Sequence, residues 1–541
     1  MNILVVIPAR GGSKGIPRKN IRLLAGKPLI YYSIATALSS KYNIDVYVSS
    51  EDDEILQLSK EFGAKVHKRD MNIADDKTTL DPVIYDCYQY AKKNENKKYN
   101  YIITMQPTSP LLNSNSLDKA ITKAINNKEI ETVIASKDDT HLSWRKENNI
   151  YLANYKERVN RQYLISTFTE TGGFFITRED IITSTNRIGK NVELHILANG
   201  EEIDIDTYDD WNLCEYYLKR KHILFVVSGN KTVGLGHVYN TLLIANDILN
   251  HKITFLVDDK SQMAYEKILS KNYNINIQVK KDIVDDIKII NPDLVINDRL
   301  DTEKNYILKL KKLNYKVINF EDLGDGAKEA DLVINAIYPE KQILSQHYFG
   351  HNYFILRDEF IYLKDNKKID KVKNILITFG GVDLNNYTQK VIDNIYDYCQ
   401  SNQINIQVIT GFGYSEFNSL KRYKNIEIKR NITNISTYMQ NADIIFTSAG
   451  RTTYEIASIG TPTIVLAQNE RELTHFFASS EFGFLNLGLG YKLENRELIK
   501  QFIELVNSIQ TRIYMNKLMK KIDLKSGRKI VNKLIQELLE K

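Results

Sequence analysis

Cysteine is nearly absent. Only Cys87, Cys214 and Cys399 occur in 541 residues, far apart and without a CxxC spacing. That excludes a disulfide framework or a cysteine-rich zinc site and fits a reducing cytosol. A large charge of one sign is also missing. The chain carries 73 basic and 67 acidic side chains, net +6, too weak an excess to point to a nucleic-acid partner. No apolar run is long enough to span a bilayer. The apolar start, Met1 to Ala9, breaks at Arg10-Gly11-Gly12 and reads as a buried strand, so neither membrane anchor nor secretory segment is expected. Short-period repeats and low-complexity linkers are lacking as well. What is present is globular in character: 43% hydrophobic residues, with Trp 2, Tyr 33 and Phe 19, argue against disorder. The length suggests about three globular units.

Apolar runs alternate with amphipathic segments through the first 220 residues. Ile3–Ile7, Asp45–Ser49, Tyr101–Met105 and Thr132–Ser136 read as strands. Leu29–Leu38, Asp53–Phe62, Pro82–Lys92 and Ser116–Asn126 read as helices. This rhythm predicts βαβ units and a mostly parallel sheet, with ligands beyond the carboxyl ends of the strands. The rhythm restarts at Ile223–Val227, after the charged stretch Leu218–His222, and again at Lys373–Phe379. The expected divisions are therefore residues 1–221, 222–360 and 361–541, with the helix-rich end from Asn495 packing back on one lobe.

The loop after the first strand is Pro8-Ala9-Arg10-Gly11-Gly12-Ser13-Lys14-Gly15-Ile16-Pro17-Arg18-Lys19-Asn20. Its glycines permit tight turns and close approach of backbone N–H groups to a ligand. Arg10, Lys14, Arg18 and Lys19 supply positive charge for a polyanion such as a nucleoside triphosphate. The Walker spacing is absent. A solvated basic turn is the competing reading. Further on, Asp204 and Asp206 are two residues apart. In an extended segment they share a face, where they can hold Mg²⁺ together with triphosphate oxygens. Asp209 and Asp210 read as an N-cap for a helix entering at Trp211.

Ile7–Asn20 resembles the signature of the acylneuraminate cytidylyltransferases, the CMP-sialic acid synthetases. The likeness continues through Ser49-Ser50-Glu51-Asp52, Gln106-Pro107-Thr108-Ser109-Pro110-Leu111 and Asp204-Ile205-Asp206, covering roughly residues 1–215 in order. The resemblance implies CTP over the loop, bound by Arg10, Gly11, Gly12, Ser13, Lys14, Lys19, Asn20 and Thr79. Arg10, Lys14 and Lys19 would stabilise charge at the α-phosphate while the anomeric hydroxyl of a sugar acid attacks. Asp204 and Asp206 would carry the metal, and Arg69, Gln106, Arg161 and Gln162 would meet the sugar acid. The family often has an Asn-Gly pair in its sugar-site strand; here Glu170-Thr171-Gly172-Gly173-Phe174-Phe175 stands instead.

The second half carries Gly234-Leu235-Gly236-His237-Val238 between a strand and an amphipathic helix. A histidine at a helix N-terminus stays neutral more readily and can accept a proton. Gly380-Gly381 and Ala449-Gly450, with Thr452 and Thr453, are tight loops able to bind a pyrophosphate at a helix start. This half resembles the UDP-sugar hydrolase of the pseudaminic acid pathway and, more distantly, two-lobed glycosyltransferases of GT-B type. Matching stretches include Tyr353–Phe360, Thr378–Asp383 and Ser448–Glu455. The resemblance implies His237 as general base, with Gly236, Asp298, Gly380, Gly381, Gly450, Thr452, Thr453 and Glu455 around the UDP-sugar. The hydrolases usually carry arginine three residues after the histidine; this chain has Asn240.

The expected fold is α/β: a Rossmann-type nucleotide-diphospho-sugar transferase-like domain followed by a two-lobed GT-B-like half. The expected function is bifunctional, CMP transfer from CTP to a nonulosonic acid with Mg²⁺ and hydrolysis of a UDP-linked amino sugar. A glycosyltransferase or a non-catalytic sugar-nucleotide module are the alternatives for the second half. The expected setting is a cytoplasmic homodimer without nucleic-acid or membrane partners.

Overall fold

The first apolar run becomes the strand Ile3–Pro8 (β1) in a computed structural model that describes residues 1–12, 15–75, 77–198, 200–230, 234–339, 344–364, 366–411 and 413–540. Its two faces feed different cores. Ile3, Val5 and Ile7 pack with Ile30, Ile34 and Phe174, whereas Leu4 and Val6 pack with Tyr88 and Tyr99. A strand apolar on both faces belongs in the middle of a covered sheet, and β1 is central.

Contact density divides the chain into Met1–Arg220 and Lys221–Lys541. In the first unit β1 is joined by Ile44–Ser50 (β2), Lys65–Lys68 (β3), Tyr101–Thr104 (β4), Thr132–Asp138 (β5), Phe168–Arg178 (β6) and Val192–Ile196 (β7). Their order is β7-β5-β6-β4-β1-β2-β3. Only β6 runs antiparallel to its neighbours in this sheet, and its register with β5 shifts between Glu170 and Phe175. Helices Leu29–Leu38 (α1), Asp53–Glu61 (α2), Leu80–Asn94 (α3) and Ser114–Asn126 (α4) lie between strands. The Asp52 side chain caps α2 by accepting from Glu54 N and Ile55 N, a contact worth about 1 kcal/mol. The last helix of the unit, Tyr208–Lys219 (α5), starts earlier than the sequence suggests. Thr207 is its N-cap, and Asp210 completes a capping box three residues on. Asp209–Asp210 is thus not the cap itself, because the Thr207 hydroxyl meets the N3 amide.

The second unit holds two fully parallel sheets. One contains His222–Val227 (β8), Lys252–Val257 (β9), Ile275–Ile277 (β10), Leu294–Asp298 (β11), Lys316–Phe320 (β12), Leu332–Asn335 (β13) and His347–Phe349 (β14), in the order β10-β9-β8-β11-β12-β13-β14. The other contains Asn374–Ile377 (β15), Asn405–Thr410 (β16), Ile426–Arg430 (β17), Ile444–Thr447 (β18), Thr463–Ala467 (β19) and Phe484–Leu489 (β20), in the order β17-β16-β15-β18-β19-β20. Both reverse direction beside their first strand, the Rossmann arrangement, and together they form the two-lobed GT-B architecture. Helix α6 (Gly236–Asp247) follows β8, α7 (Tyr387–Ser401) follows β15 and α8 (Thr452–Ile459) follows β18.

The chain end differs from a second lobe running to residue 541. Leu498, Phe502, Leu505 and Met515 do stay in the second lobe's core. The terminal helix Gly527–Glu540 (α9) instead packs Val531, Ile535 and Leu539 with Ile223 and Phe225 of the first lobe. Arg528 secures it through ion pairs with Asp247 and Asp358.

Candidate active sites

In the first unit the sheet order reverses at β1, with β4 on one side and β2 on the other. The loop beginning at Ala9 therefore leaves the switch point where ligands of such sheets bind. The Gly11 N–H donates to Glu51 Oε1 at 2.6 Å, and buried Arg69 forms an ion pair with the same carboxylate. Burial opposes ionisation of Glu51, but Arg69 and the Gly11 N–H prevail and hold its pKa below the ordinary range. Arg18, at a left-handed φ of 56°, pairs with Asp52 at 2.5 Å and with Glu54. Buried Asn20 donates to the Arg10 carbonyl at 2.9 Å. Lys19 Nζ donates to the Ile205 carbonyl at 2.6 Å and lies 3.6 Å from Asp206 Oδ1. The cationic loop is thereby tied directly to the aspartate segment. Gly15 makes that approach possible, since a Cβ there would lie 2.8 Å from the Asp206 carbonyl.

Asp204 and Asp206 flank Ile205, which is fully buried. Asp206 is 80% exposed at its side chain, whereas burial pushes the Asp204 carboxyl up from its ordinary pKa. Asp204 Oδ1, Thr108 Oγ1 and Ser109 Oγ are buried and make no hydrogen bond of good geometry among the described residues, although the nearby Thr108 hydroxyl favours the ionised form of Asp204. They surround Gly172, where a Cβ would come within 3.0–3.1 Å of all three. Gly172 lies in the irregular stretch of β6, and such irregularities recur beside active sites. Unsatisfied hard oxygens next to a solvent-facing carboxylate suit a small divalent cation. No group of three or more His, Cys, Asp or Glu suited to a metal occurs among the described residues.

In the second unit His237 is the second residue of α6. Its Nδ1 hydrogen-bonds Asp298 Oδ1 at the end of β11, and Asp298 is fully buried. A carboxylate only accepts, so Nδ1 carries a hydrogen, which in the neutral ring leaves the lone pair on Nε2. Asn240 Nδ2 donates to Asp298 Oδ2 at 2.7 Å, while Arg451 Nη2 donates to Asn240 Oδ1 at 2.7 Å. Arg451 Nη1 lies 3.4 Å from Glu321 Oε1. Burial pushes the Glu321 carboxyl up to about 7, against the opposing pull of Arg451. A cleft is lined by Gly236 and Asn240 from the first lobe and by Gly380, Gly381, Arg451, Thr452 and Glu455 from the second. Gly380 has a φ of +75°, and Gly411 packs so close that its Cβ would lie 2.4 Å from Gly381 Cα and O. Glu455 accepts from Arg357 Nε at 2.7 Å inside the same cleft.

A cytidylyltransferase family model matches residues 4–202, and the model of the glycosyltransferase family 28 C-terminal domain matches residues 374–534. The chain is 34% identical over 272 residues to the uncharacterized protein MJ1062 of Methanocaldococcus jannaschii, covering 46% of this chain but only 56% of that relative's length. It is 33% identical over 229 residues to the pseudaminic acid cytidylyltransferase of Campylobacter jejuni, covering 41% of this chain and 98% of the relative. The chain belongs to the cytidylyltransferase family. Over 523 residues it is also 24% identical to a Helicobacter pylori protein named pseudaminic acid cytidylyltransferase and UDP-2,4-diacetamido-2,4,6-trideoxy-beta-L-altropyranose hydrolase, covering 93% of this chain and 94% of that one.

Within the cytidylyltransferase unit the expected site residues divide. Arg10, Gly11, Gly12, Lys19 and Asn20 share one loop with a stitched backbone; Ser13 and Lys14 lie outside the described residues. Arg69, expected on the sugar side, is bonded to Glu51, whose carboxylate also accepts from the Gly11 N–H of the cationic loop. Gln106 is half-buried, its N–H donating to the Gly172 carbonyl at 3.0 Å. Thr79 is exposed at the start of α3 and makes no side-chain cap, while Thr78 bonds Asp75. Arg161 and Gln162 are exposed on the turn Arg161–Tyr163, in the excursion between β5 and β6. No hydrogen bond or ion pair among the described residues joins them to the loop.

Around the second cleft, Thr453 is buried and its hydroxyl donates to the Gly450 carbonyl at 2.8 Å. It is spent on the loop, and Thr452 is the threonine that lines the cleft. Asn240, seen in the sequence only as a missing cation, is the bridge between Asp298 and Arg451. Arg451 and Glu321 were missed. An arginine next to a Gly loop at a helix start was the available signal for Arg451; nothing local marks Glu321.

Proposed function

We propose that the chain performs two reactions in the making of a sialic-type sugar nucleotide. The first unit transfers CMP from CTP to a nonulosonic acid of the pseudaminic class and releases pyrophosphate. The second unit hydrolyses a UDP-linked diacetamido-trideoxy sugar and releases UDP. The observation that carries the first reading is the direct tie from the cationic Gly loop to the Asp204–Asp206 pair through Lys19. Asp204 and Asp206 would hold Mg²⁺, whose contribution is to neutralise triphosphate charge and polarise the α-phosphate. Arg10 and Lys19 orient the triphosphate in line with the attacking anomeric hydroxyl. The second reading is carried by the His237–Asp298 pair beside a cleft of Gly loops. Nε2 of His237 takes a proton from water, and the N–H groups at the start of α8 receive the departing diphosphate. The likeness to the H. pylori protein along most of both chains supports the pairing of activities.

The reduced, buried state of Cys87, Cys214 and Cys399, together with nucleotide substrates, supports a cytoplasmic setting. Exposed Trp144, Ile150, Tyr151, Tyr163 and Ile165, all between β5 and β6, support a homodimer that covers them. No described helix is long and apolar enough to cross a membrane.

The test uses the full chain with CTP, Mg²⁺ and pseudaminic acid, reading the mass of the CMP-sugar, and separately with the UDP-sugar, reading UDP. Asp206→Asn is expected to lower the first rate by about 100-fold or more and leave UDP release unchanged; His237→Ala is expected to do the reverse. Unchanged CMP transfer in Asp206→Asn would defeat the metal role. The glycosyltransferase family 28 match favours a second reading, transfer to an acceptor. UDP release that requires an added sugar acceptor would establish it over hydrolysis.

A further inference from the structure

The hydrogen-bond chain that begins at His237 does not stop at Asp298. Asp298 is fully buried, and each of its oxygens is satisfied by a different residue of α6: Oδ1 by His237 Nδ1 and Oδ2 by Asn240 Nδ2. The Asn240 amide has a single workable orientation. A guanidinium only donates, so Oδ1 turns to Arg451; a carboxylate only accepts, so Nδ2 turns to Asp298. Asn240 is itself buried at the edge of the cleft.

Arg451 comes from the other lobe, where it immediately precedes α8. It reaches across to two residues of the first lobe, Asn240 and Glu321, and its guanidinium lies 4.6 Å from the Phe354 ring centroid. Glu321 has a φ of 52°, a left-handed conformation unfavourable for glutamate that persists only where surrounding structure enforces it. Here its amide donates to the Ile334 carbonyl at 3.0 Å, and its carboxylate faces the incoming cation. The donor to the far oxygen of Asp298 is therefore held in place from the opposite lobe.

We propose that Asn240 and Arg451 are positioning residues for the His237–Asp298 pair, holding the histidine with its hydrogen on Nδ1 through a contact supplied by the opposite lobe. With the amide in place, both Asp298 oxygens are satisfied, and Oδ1 accepts from Nδ1–H. Without the amide, one buried oxygen has no donor, which is costly. The Nδ1 proton then passes to Asp298, which holds it in a hydrogen bond back to Nδ1, and a proton from solvent is taken up at Nε2. The neutral ring carries its hydrogen on Nε2, and the lone pair that would receive a proton from water is gone. The role of His237 as base rests on the hydrolase reading; the control of its tautomer does not.

The test is made on the full chain with ¹⁵N-labelled histidine ring nitrogens, the His237 signals being identified by their loss in His237→Gln. In parallel, UDP release is measured with UDP-2,4-diacetamido-2,4,6-trideoxy-beta-L-altropyranose as probe. Asn240→Leu and Arg451→Met are each expected to convert His237 from the Nδ1–H to the Nε2–H form and to lower kcat by roughly 10–100-fold. In Asn240→Leu, KM is expected to stay within about threefold. Combining N240R with R451Q places a donor directly against Asp298 and is expected to restore the Nδ1–H form and most of kcat. Should Asn240→Leu fail to fold, Asn240→Asp, which still accepts from Arg451 but cannot donate to Asp298, reads the same way. Retention of the Nδ1–H form in both single variants, or a double variant no better than the singles, overturns the proposal. If the wild-type chain releases no UDP from the probe, the hydrolase reading fails by itself, and the tautomer measurement still decides the positioning role.

Discussion

Asp204 is a buried carboxyl whose Oδ1 has no well-formed hydrogen bond among the described residues and whose pKa burial raises despite the nearby Thr108 hydroxyl, an arrangement that costs stability unless something binds it. Asp204→Asn is therefore expected to melt at or above the wild-type temperature without metal. Millimolar MgCl₂ should raise the melting temperature of the wild type and leave that of the variant where it was; a thermal-shift titration with and without Mg²⁺ checks this. Glu321 gives a pH signature. Burial pushes its carboxyl up to about 7 in the folded chain, against an ordinary value of 4.5. Folding stability from this residue is fully present below about pH 4.5, declines as the unfolded chain ionises first, and is lost above about pH 7. That difference is on the order of 3 kcal/mol. The melting temperature of Glu321→Gln should accordingly pull ahead of the wild type as pH rises from about 5 to about 8, as followed by calorimetry. A gap that does not change with pH would remove Glu321 as a buried titrating group.

At the level of elements, the candidate sites lie where loops leave the carboxyl ends of strands. The Gly380–Gly381 loop after β15 and Gly411 after β16 touch backbone to backbone. Gly411→Ala cannot be accommodated without moving one loop. It is expected to cost about 1–3 kcal/mol and to weaken UDP binding in a calorimetric titration. CMP transfer by the first unit should be unchanged and serves as the internal control. In the first unit β1, β2, β4, β5 and helices α1–α4 were legible in the sequence because their apolar period is set locally: Leu29–Leu38 was read to the residue. β3 and β7 were not. Lys65–Lys68 alternates weakly, and Val192–Ile196 is an edge strand with little burial. The direction of β6 was likewise hidden, since side-chain alternation is the same in parallel and antiparallel strands.

For the whole molecule, each unit has its own cores and none of the described clusters is shared across residue 220. The large apolar side chains left uncovered between β5 and β6 belong to the first unit, with Ile165 at 84% exposure and Tyr163 at 72%. Ile165→Glu is expected to halve the mass of the assembly in light scattering behind size exclusion while the chain stays folded. A wild-type chain that elutes as a monomer at micromolar concentration would end the homodimer reading.

The sequence alone determined the α/β class, the restart of the rhythm near residues 221 and 373, the cationic Gly loop with its aspartate pair, and the histidine at the head of a helix. All of these are properties of neighbouring residues or of short spacings, which local geometry converts into structure. Only the tertiary structure decided that Arg69 is bonded to Glu51, that the last helix returns to the first lobe, and that Asn240 links Asp298 to Arg451. These depend on groups up to hundreds of residues apart meeting in a buried, low-dielectric place. There, hydrogen-bond chemistry selects partners that the linear order does not mark.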